Sequence, residues 1–428
     1  MREFEYVISG PAYLRLGSEQ CNEPESLEMI LDMMARVCNN KNNHKFSLLY
    51  NGFTEKNFGE KLQKYRPSIH NIHADSGGLQ IITRGLPNTK ETRESVYNNQ
   101  AKHADIGMSF DEIPVKATTS SGKSSKIDTK RRFFDVNNFE NYARQTGKNV
   151  KEQIETYDRL GSNCRPFVII HGASHDTYQR WAELVLEEVT PALHHRIGGV
   201  AMGSAALGMG QFEDVKRAFY VSLMPFPKPF HLHILGVGAL RRMLPYLLFS
   251  QTGLYEDINI SYDSTTHSMS LDNGLFYFSH YKKSPGSIYG GTSVKMGRPF
   301  SNIYRTVTEE INNVCGTSYT PEEYHVLMNV GVGAYMDSGG KFVDVMRARL
   351  AFILTNVHNF TKDVTELTQS KEQFLSFCRA KNCENEYASL FEVKTLDDFI
   401  YWEKNVGKYM ESEPVGHEAP TSLEELFA

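Results

Sequence analysis

The sequence predicts an α/β fold around a parallel sheet. Three observations carry this: short β-rich runs that stay apolar without alternation, amphipathic stretches of helical length between them, and glycine- or carboxylate-bearing segments that recur after the runs. The runs are 46–50, 166–170, 197–201, 231–235 and 258–262. Strands covered on both faces read this way, because neither side of the pleat meets water. Between them, 176–189 places Trp181, Leu184, Val185 and Val189 at helical spacing, and 211–223 is a second amphipathic stretch. Alternation of strand and helix over hundreds of residues implies right-handed crossovers.

The recurring segments are HADSGGLQ at 73–80, MSFDEIP at 108–114, IIHGAS at 169–174, IGGVAMG at 197–203, HILGVG at 233–238 and ISYDSTTH at 260–267. Counted through Asp75, Asp111, His171, Gly199, Gly236 and Asp263, the gaps are 36, 60, 28, 37 and 27 residues. A (β/α)8 barrel spends roughly 30 residues on each unit, so the gaps correspond to one unit or two. A doubly wound sheet meets the same spacing, and the residue pattern alone leaves both open. In either architecture the functional groups gather where the strands end.

Composition bounds the class. The chain has 428 residues, 40% hydrophobic and 23% charged, which is ordinary globular usage and excludes disorder over most of the length. Six cysteines are too few for a disulfide scaffold. No apolar run is long enough to span a membrane, and Arg2, Glu3 and Glu5 stand where a signal peptide would begin its apolar stretch. These features predict a soluble protein of a reducing, cytoplasmic compartment with no membrane partner. The net charge of −5 excludes a globally basic nucleic-acid coat but leaves room for a local basic patch. Such a patch stands at 115–133, a Ser/Thr/Lys-rich loop insertion ending in Lys130, Arg131 and Arg132, which are candidate phosphate contacts. Helical spacing at 372–380 and 396–402 predicts a C-terminal helical extension over 361–428, with an acidic tail at 411–428 that is poorly ordered or docks by its last turn.

Asp75, Asp111 and Asp263 are the candidate chemical groups. Asp75 is followed by Ser76, Gly77 and Gly78, where backbone N–H groups are unshielded and another group can approach closely. Carboxylates sharing a half-apolar cleft take up different pKa values, so that one stays ionised while another carries a proton. Displacement at a sugar carbon with retained configuration uses such a pair. A lone Asp at a strand end is commonly a helix N-cap, which does not account for three together.

The segments DSGGLQ, SFDEIP, IGGVAMG, LGVG and SYDSTT, with the His358-Asn359 pair, fall in one order over roughly 70–360. In that order the chain resembles the queuine/archaeosine tRNA-guanine transglycosylases, whose corresponding segments are DSGGFQ, FDE, GGLAVG, MGVG and a strand ending in the nucleophilic Asp. The resemblance implies a (β/α)8 TIM barrel over 1–360, with the 361–428 extension outside it, and a homodimer as a possible assembly. His171 stands where the family has Gln, and Leu79 where it has an aromatic residue. No Arg follows Asp263 in the segment that ends in Asn273-Gly274. The family's zinc motif is not intact: Cys315 and His358 remain as candidate ligands, with His325 or the Cys378/Cys383 pair as substitutes. No cofactor is required by this reading.

These departures make the chain most similar to the branch that acts on DNA, the 7-deazaguanine transglycosylases of phages and bacterial modification systems, so the setting would be a host cytoplasm if the chain is phage-encoded. The resemblance implies that Asp263 attacks C1′ and that Asp75 moves the proton. Asp111 then reads the N1–H and exocyclic amine of guanine or of a 7-deazaguanine base such as preQ0. His171 would donate to O6 or to a nitrile. Gly199, Val200, Ser76, Gly77 and Gly236 would meet the base, with Leu79 and Leu235 on its faces. The alternatives are tRNA as the polymer, and a nucleic-acid-binding pseudoenzyme, against which the three retained carboxylates count.

Overall fold

The computed structural model describes residues 4–9, 29–34, 37, 46–78, 88–114, 117–118, 126–127, 138–203, 210–264, 266–279, 292–295, 302–329 and 332–412. Eight strands pair in parallel into a closed barrel: β1 (Phe4–Ser9), β2 (Phe46–Asn51), β3 (Ile69–Asp75), β4 (Ile106–Met108), β5 (Arg165–Ile170), β6 (Gly199–Met202), β7 (Phe230–Ile234) and β8 (Ile258–Ser264). Each strand pairs with its neighbour in sequence, and β8 returns to β1 with Asp263 opposite Val7 and Ser264 opposite Ile8. This is the (β/α)8 barrel, and it settles the choice that residue spacing leaves open.

The crossovers are α1 (Lys56–Leu62), α2 (Lys90–His103), α3 (Phe139–Arg159), α4 (His175–Val189), α5 (Gln211–Ser222) and α6 (Leu240–Phe249). The short α7 (Thr266–Asn273) and a hairpin, β9 (Leu275–Phe278) with β10 (Thr292–Lys295), follow β8. Then come α8 (Asn302–Cys315), α9 (Pro321–Asn329), α10 (Val332–Asp337), α11 (Phe342–Leu367), α12 (Lys371–Ala380), α13 (Glu384–Leu390) and α14 (Leu396–Asn405). Helix α4 begins where Ser174 closes a capping box with Thr177, which satisfies two otherwise orphaned groups at its N-terminus. Its Trp181, Leu184, Val185 and Val189 are all fully buried, as their helical spacing predicts. They pack with the outward residues Val168 and Ile170 of β5 and Val200 and Met202 of β6.

Helix α11 has a second role. Its N-terminal half, from Val345 to Leu354, packs with Ile8, Leu48, Tyr50 and Ile72 outside β1–β3. Its C-terminal part, Phe360, Val364 and Leu367, packs with Ile258, Ile260 and Tyr262 outside β8. One continuous helix therefore straddles the seam where the barrel closes, and the boundary expected at 360/361 falls inside it. Within 115–133, Ala117–Thr118 pairs antiparallel with Lys126–Ile127. Lys130, Arg131, Arg132 and Leu79 lie outside the described residues, as does the tail beyond 412.

The barrel interior is divided. Ile106, Met108, Phe167, Ile169 and Ala201 of β4–β6 fill one half. The other half, from β7 through β8 and β1 to β3, is polar: Glu5 accepts from Ser47 and Asn71, and the rings of His73 and His233 lie 5.2 Å apart. Gly199 belongs to the packed interior. A Cβ there would sit 2.2 Å from the His231 carbonyl oxygen and 2.7 Å from the Phe167 ring. We predict that Gly199→Ala lowers stability by about 3 kcal/mol, because the backbone it would strike cannot yield. Gly333→Ala, with open space on α10, should be neutral or gain up to about 1 kcal/mol. Urea midpoints of the two variants check this, and equal midpoints would contradict it.

Candidate functional site

The C-terminal mouth of the barrel gathers the three carboxylates from three strand ends. Asp75 is the last residue of β3, Asp263 lies one residue before the end of β8, and Asp111 follows β4 by three residues. The strand period places them: His73 and Asp75, and likewise Ser261 and Asp263, are two apart and share the inward face. After β4, Phe110 turns outward against Tyr97 and Tyr157, and Asp111 comes back in.

The turn after Asp75 shows why its sequence is Ser-Gly-Gly. Gly77 has φ of 76°, which L side chains rarely adopt, and a Cβ there would strike Phe53 at 2.5 Å. A Cβ on Gly78 would lie 3.1 Å from Asp111 Oδ1, so this glycine brings the turn against the second carboxylate. The buried Ser76 Oγ accepts from Gly78 N at 3.2 Å and braces the turn, and Ser76 N donates to Asp75 Oδ1 at 2.8 Å.

The electrostatics separate two of the carboxylates. Burial pushes Asp75 up, and the charges of Asp111 and Asp263 push the same way. The backbone N–H groups of Ser76 and Gly77 pull it back, leaving it at about 6 against an ordinary 3.8. Burial alone would also raise Asp263. Its donors outweigh that: His233 Nε2 at 3.2 Å and Gly236 N at 3.1 Å on Oδ1, and Ser9 Oγ at 2.8 Å on Oδ2. The Asp263 carboxyl therefore lies below its ordinary value. One mouth thus holds a readily ionised carboxylate and a carboxyl group that keeps its proton up to about pH 6.

Asp111 and His171 form a buried pair, with His171 Nε2 2.6 Å from Asp111 Oδ2. A carboxylate only accepts, so this nitrogen carries the proton and spends it on Asp111. That proton is held by Asp111 and is not available to another acceptor. Trp181 packs edge-on against the His171 ring at 5.0 Å and donates from Nε1 to the Ile169 carbonyl.

The structure redistributes other expected residues. Gly199 and Val200 begin β6, with Gly199 opposite Phe167 and Val200 turned out into the helix layer. That is four residues, or about 13 Å, below His171 along the strand direction. The glycine at the mouth is Gly203, where a Cβ would come within 2.6 Å of His171 Cε1. Gly236 serves Asp263 directly through its N–H. Leu235 is partly buried against the apolar half of the interior. Ser9 and His233 were not singled out from sequence, although the alternation in FHLHI already puts His231 and His233 on one face.

The candidate zinc ligands among the described residues have other partners. Cys315 Sγ lies 3.5 Å from the Ala351 carbonyl oxygen and from Thr355 Oγ1, His325 meets Tyr304 edge-on at 4.8 Å, and Cys383 Sγ points to the Cys378 carbonyl. Among the described residues no three His, Cys, Asp or Glu side chains gather as metal ligands, and no step is derived through a metal. Among them, too, no helix is long and apolar enough to cross a membrane.

The chain matches no protein family model and no curated protein sequence. Among solved structures it is similar to the apo form of a candidate deoxyribose-phosphate aldolase from Toxoplasma gondii, at 12% identity and a TM-score of 0.33, over 61% of this chain and 89% of that one. A likeness so distant carries no argument about chemistry.

The raised pKa of Asp75 has a consequence for stability. The native state holds a proton that the unfolded chain releases near 3.8, so stability is lost as pH rises from there through about 6. We predict that Asp75→Asn stabilises the protein at pH 8 by on the order of 2–3 kcal/mol and has little effect near pH 4. Urea unfolding at the two pH values measures this, and an equal gain at both would show that Asp75 is not the burdened group.

Proposed function

We propose that the chain is a base-exchange glycosyltransferase that replaces guanine in DNA with a 7-deazaguanine base of the preQ0 type, through a covalent glycosyl-aspartate. The observation that carries this reading is the opposite displacement of two carboxyl groups in one mouth, Asp263 held below its ordinary value and Asp75 raised to about 6. Retaining displacement at an anomeric carbon needs an ionised nucleophile and a protonated acid side by side.

In the first step a carboxylate oxygen of Asp263 bonds to C1′, the C1′–N9 bond breaks with its electron pair passing to the purine, and Asp75 delivers its proton to the leaving guanine. In the second, the incoming base gives its ring N–H proton to Asp75 and attacks C1′, and Asp263 leaves as a carboxylate. One group serves as acid and then as base, as reversibility requires. The Asp111–His171 pair offers an acceptor for the N1–H and amine edge of the purine, and Leu235 and Ile169 supply an apolar face. A base inside a nucleic-acid stack must leave it to enter such a mouth. The missing Arg segment after Asp263 and the Lys/Arg-rich 115–133 insertion favour DNA over tRNA as the polymer.

The test is exchange of labelled guanine into single-stranded DNA, double-stranded DNA and tRNA. We predict exchange into DNA, faster where the guanine is unpaired, and its loss in Asp263→Asn and Asp263→Ala with circular dichroism unchanged. Label in tRNA alone would transfer the activity to that polymer, and undiminished exchange by Asp263→Asn would end the nucleophile assignment. We further predict that guanine release in a single turnover slows as pH rises above about 6, because it consumes the Asp75 proton. Asp75→Asn should be slower throughout and should lack that limb.

A further inference from the structure

The two oxygens of Asp263 are not equivalent. Among the described residues, Oδ1 receives two N–H groups, from His233 Nε2 and Gly236, and Oδ2 receives one donor, the Ser9 hydroxyl. Behind His233 runs a chain of buried groups. His233 Nδ1 is 2.8 Å from Ser261 Oγ, which is 2.7 Å from His231 Nε2.

With His233 neutral, donor rules give this chain one direction. A carboxylate accepts, so His233 donates from Nε2, and in its neutral form Nδ1 must accept. Ser261 then donates to Nδ1 and accepts from His231 Nε2. Burial, with His73 beside it, holds His231 at about 3, so its ring is neutral, as this order needs. With His233 neutral, every proton in the row points towards Asp263.

We propose that His233 is a positioning residue for the nucleophile: with Gly236 it holds Oδ1, so that Asp263 attacks through Oδ2 and the glycosyl ester keeps its carbonyl oxygen, Oδ1, beneath two N–H donors. This rests on the glycosyl-aspartate reading above and deepens it. The two halves of the reaction then feel His233 in opposite senses. An N–H group binds a carboxylate more strongly than an ester carbonyl. It therefore restrains Asp263 as it attacks, and favours it as it leaves, when the C1′–Oδ2 bond breaks and charge returns to the carboxylate. The site is built for release of the sugar to the incoming base.

The groups facing Asp263 are Ser9 from β1, Asp75 from β3 and His233 with Gly236 from β7 and its following turn, with Ser261 on its own strand acting through His233. Of these, His233 can be changed without touching the acid or the backbone. His233→Leu removes the donor, and His233→Gln returns an N–H at a similar reach.

The experiment is intact-protein mass spectrometry of the wild type and both variants during turnover on a guanine-containing DNA oligonucleotide with preQ0, alongside carbon-13 titration of the Asp263 carboxyl. Loss of one charge-assisted hydrogen bond predicts that the covalent fraction in His233→Leu rises about tenfold over the wild type. The Asp263 midpoint should rise with it, and His233→Gln should reverse both. A His233→Leu protein that unfolds in urea like the wild type, with an unchanged covalent fraction and unchanged titration, would overturn the proposal. No adduct on any nucleic acid with the wild type would overturn the glycosyl-aspartate reading instead. The titration would still decide whether His233 holds Asp263.

Discussion

Keeping a carboxylate ionised inside a barrel is the constraint from which the site follows. Removing such a charge from water is costly unless protein donors replace the lost hydration. Among the described residues Asp263 has three donors, and two are side chains of the neighbouring strands: Ser9 from β1 and His233 from β7. Both exist only because β8 lies between β7 and β1 in the closed ring. Among the described residues Asp75 has backbone N–H donors alone and faces two like charges, and its equilibrium moves the other way. The difference between the two carboxyl groups is thus one of donor supply, and the order of strands decides the supply.

The same requirement explains the divided interior. TIM barrels usually fill their centre with layers of branched apolar side chains. Here β4, β5 and β6 do so, while β7, β8 and β1 to β3 carry histidine, serine, asparagine and glutamate inward. The polar half lies beneath Asp263 and Asp75, and the apolar half lies beneath Leu235. Polar groups this deep must satisfy one another, which ties the strand register to the site: a slip of one residue in β7 would turn both histidines into the helix layer.

How much of this was legible in the sequence depends on that division. Strands β2, β5, β7 and β8 show as apolar runs, because enough of their residues are apolar on both faces. Strands β1 and β3, FEYVIS and IHNIHAD, do not, since every inward position but one is polar or charged. They alternate, and alternation reads as a half-exposed strand. The run at 197–201 was placed two residues early: Ile197 still closes the turn after Pro191–Arg196, and pairing with β5 starts only at Gly199. Gly199 therefore lies within the barrel, and Gly203 reaches the level of His171. The three carboxylates were found because each ends a segment of unusual composition. The partners of Asp263 were not, because a hydrogen bond between residues 9 and 263 leaves no local trace.

The closure of β8 on β1 also sets a clock on synthesis. Ser9 and Asp263 stand 254 residues apart, and a ribosome adding about 5–20 residues per second needs tens of seconds to make the second after the first. Until β8 emerges and reaches β1, the nascent chain holds Asp75, Asp111 and His171 but neither the buried anion nor the ring that shelters it. With α11 still to come and lock the seam from outside, Asp263 is the last of these groups to be translated and among the last to be set in place.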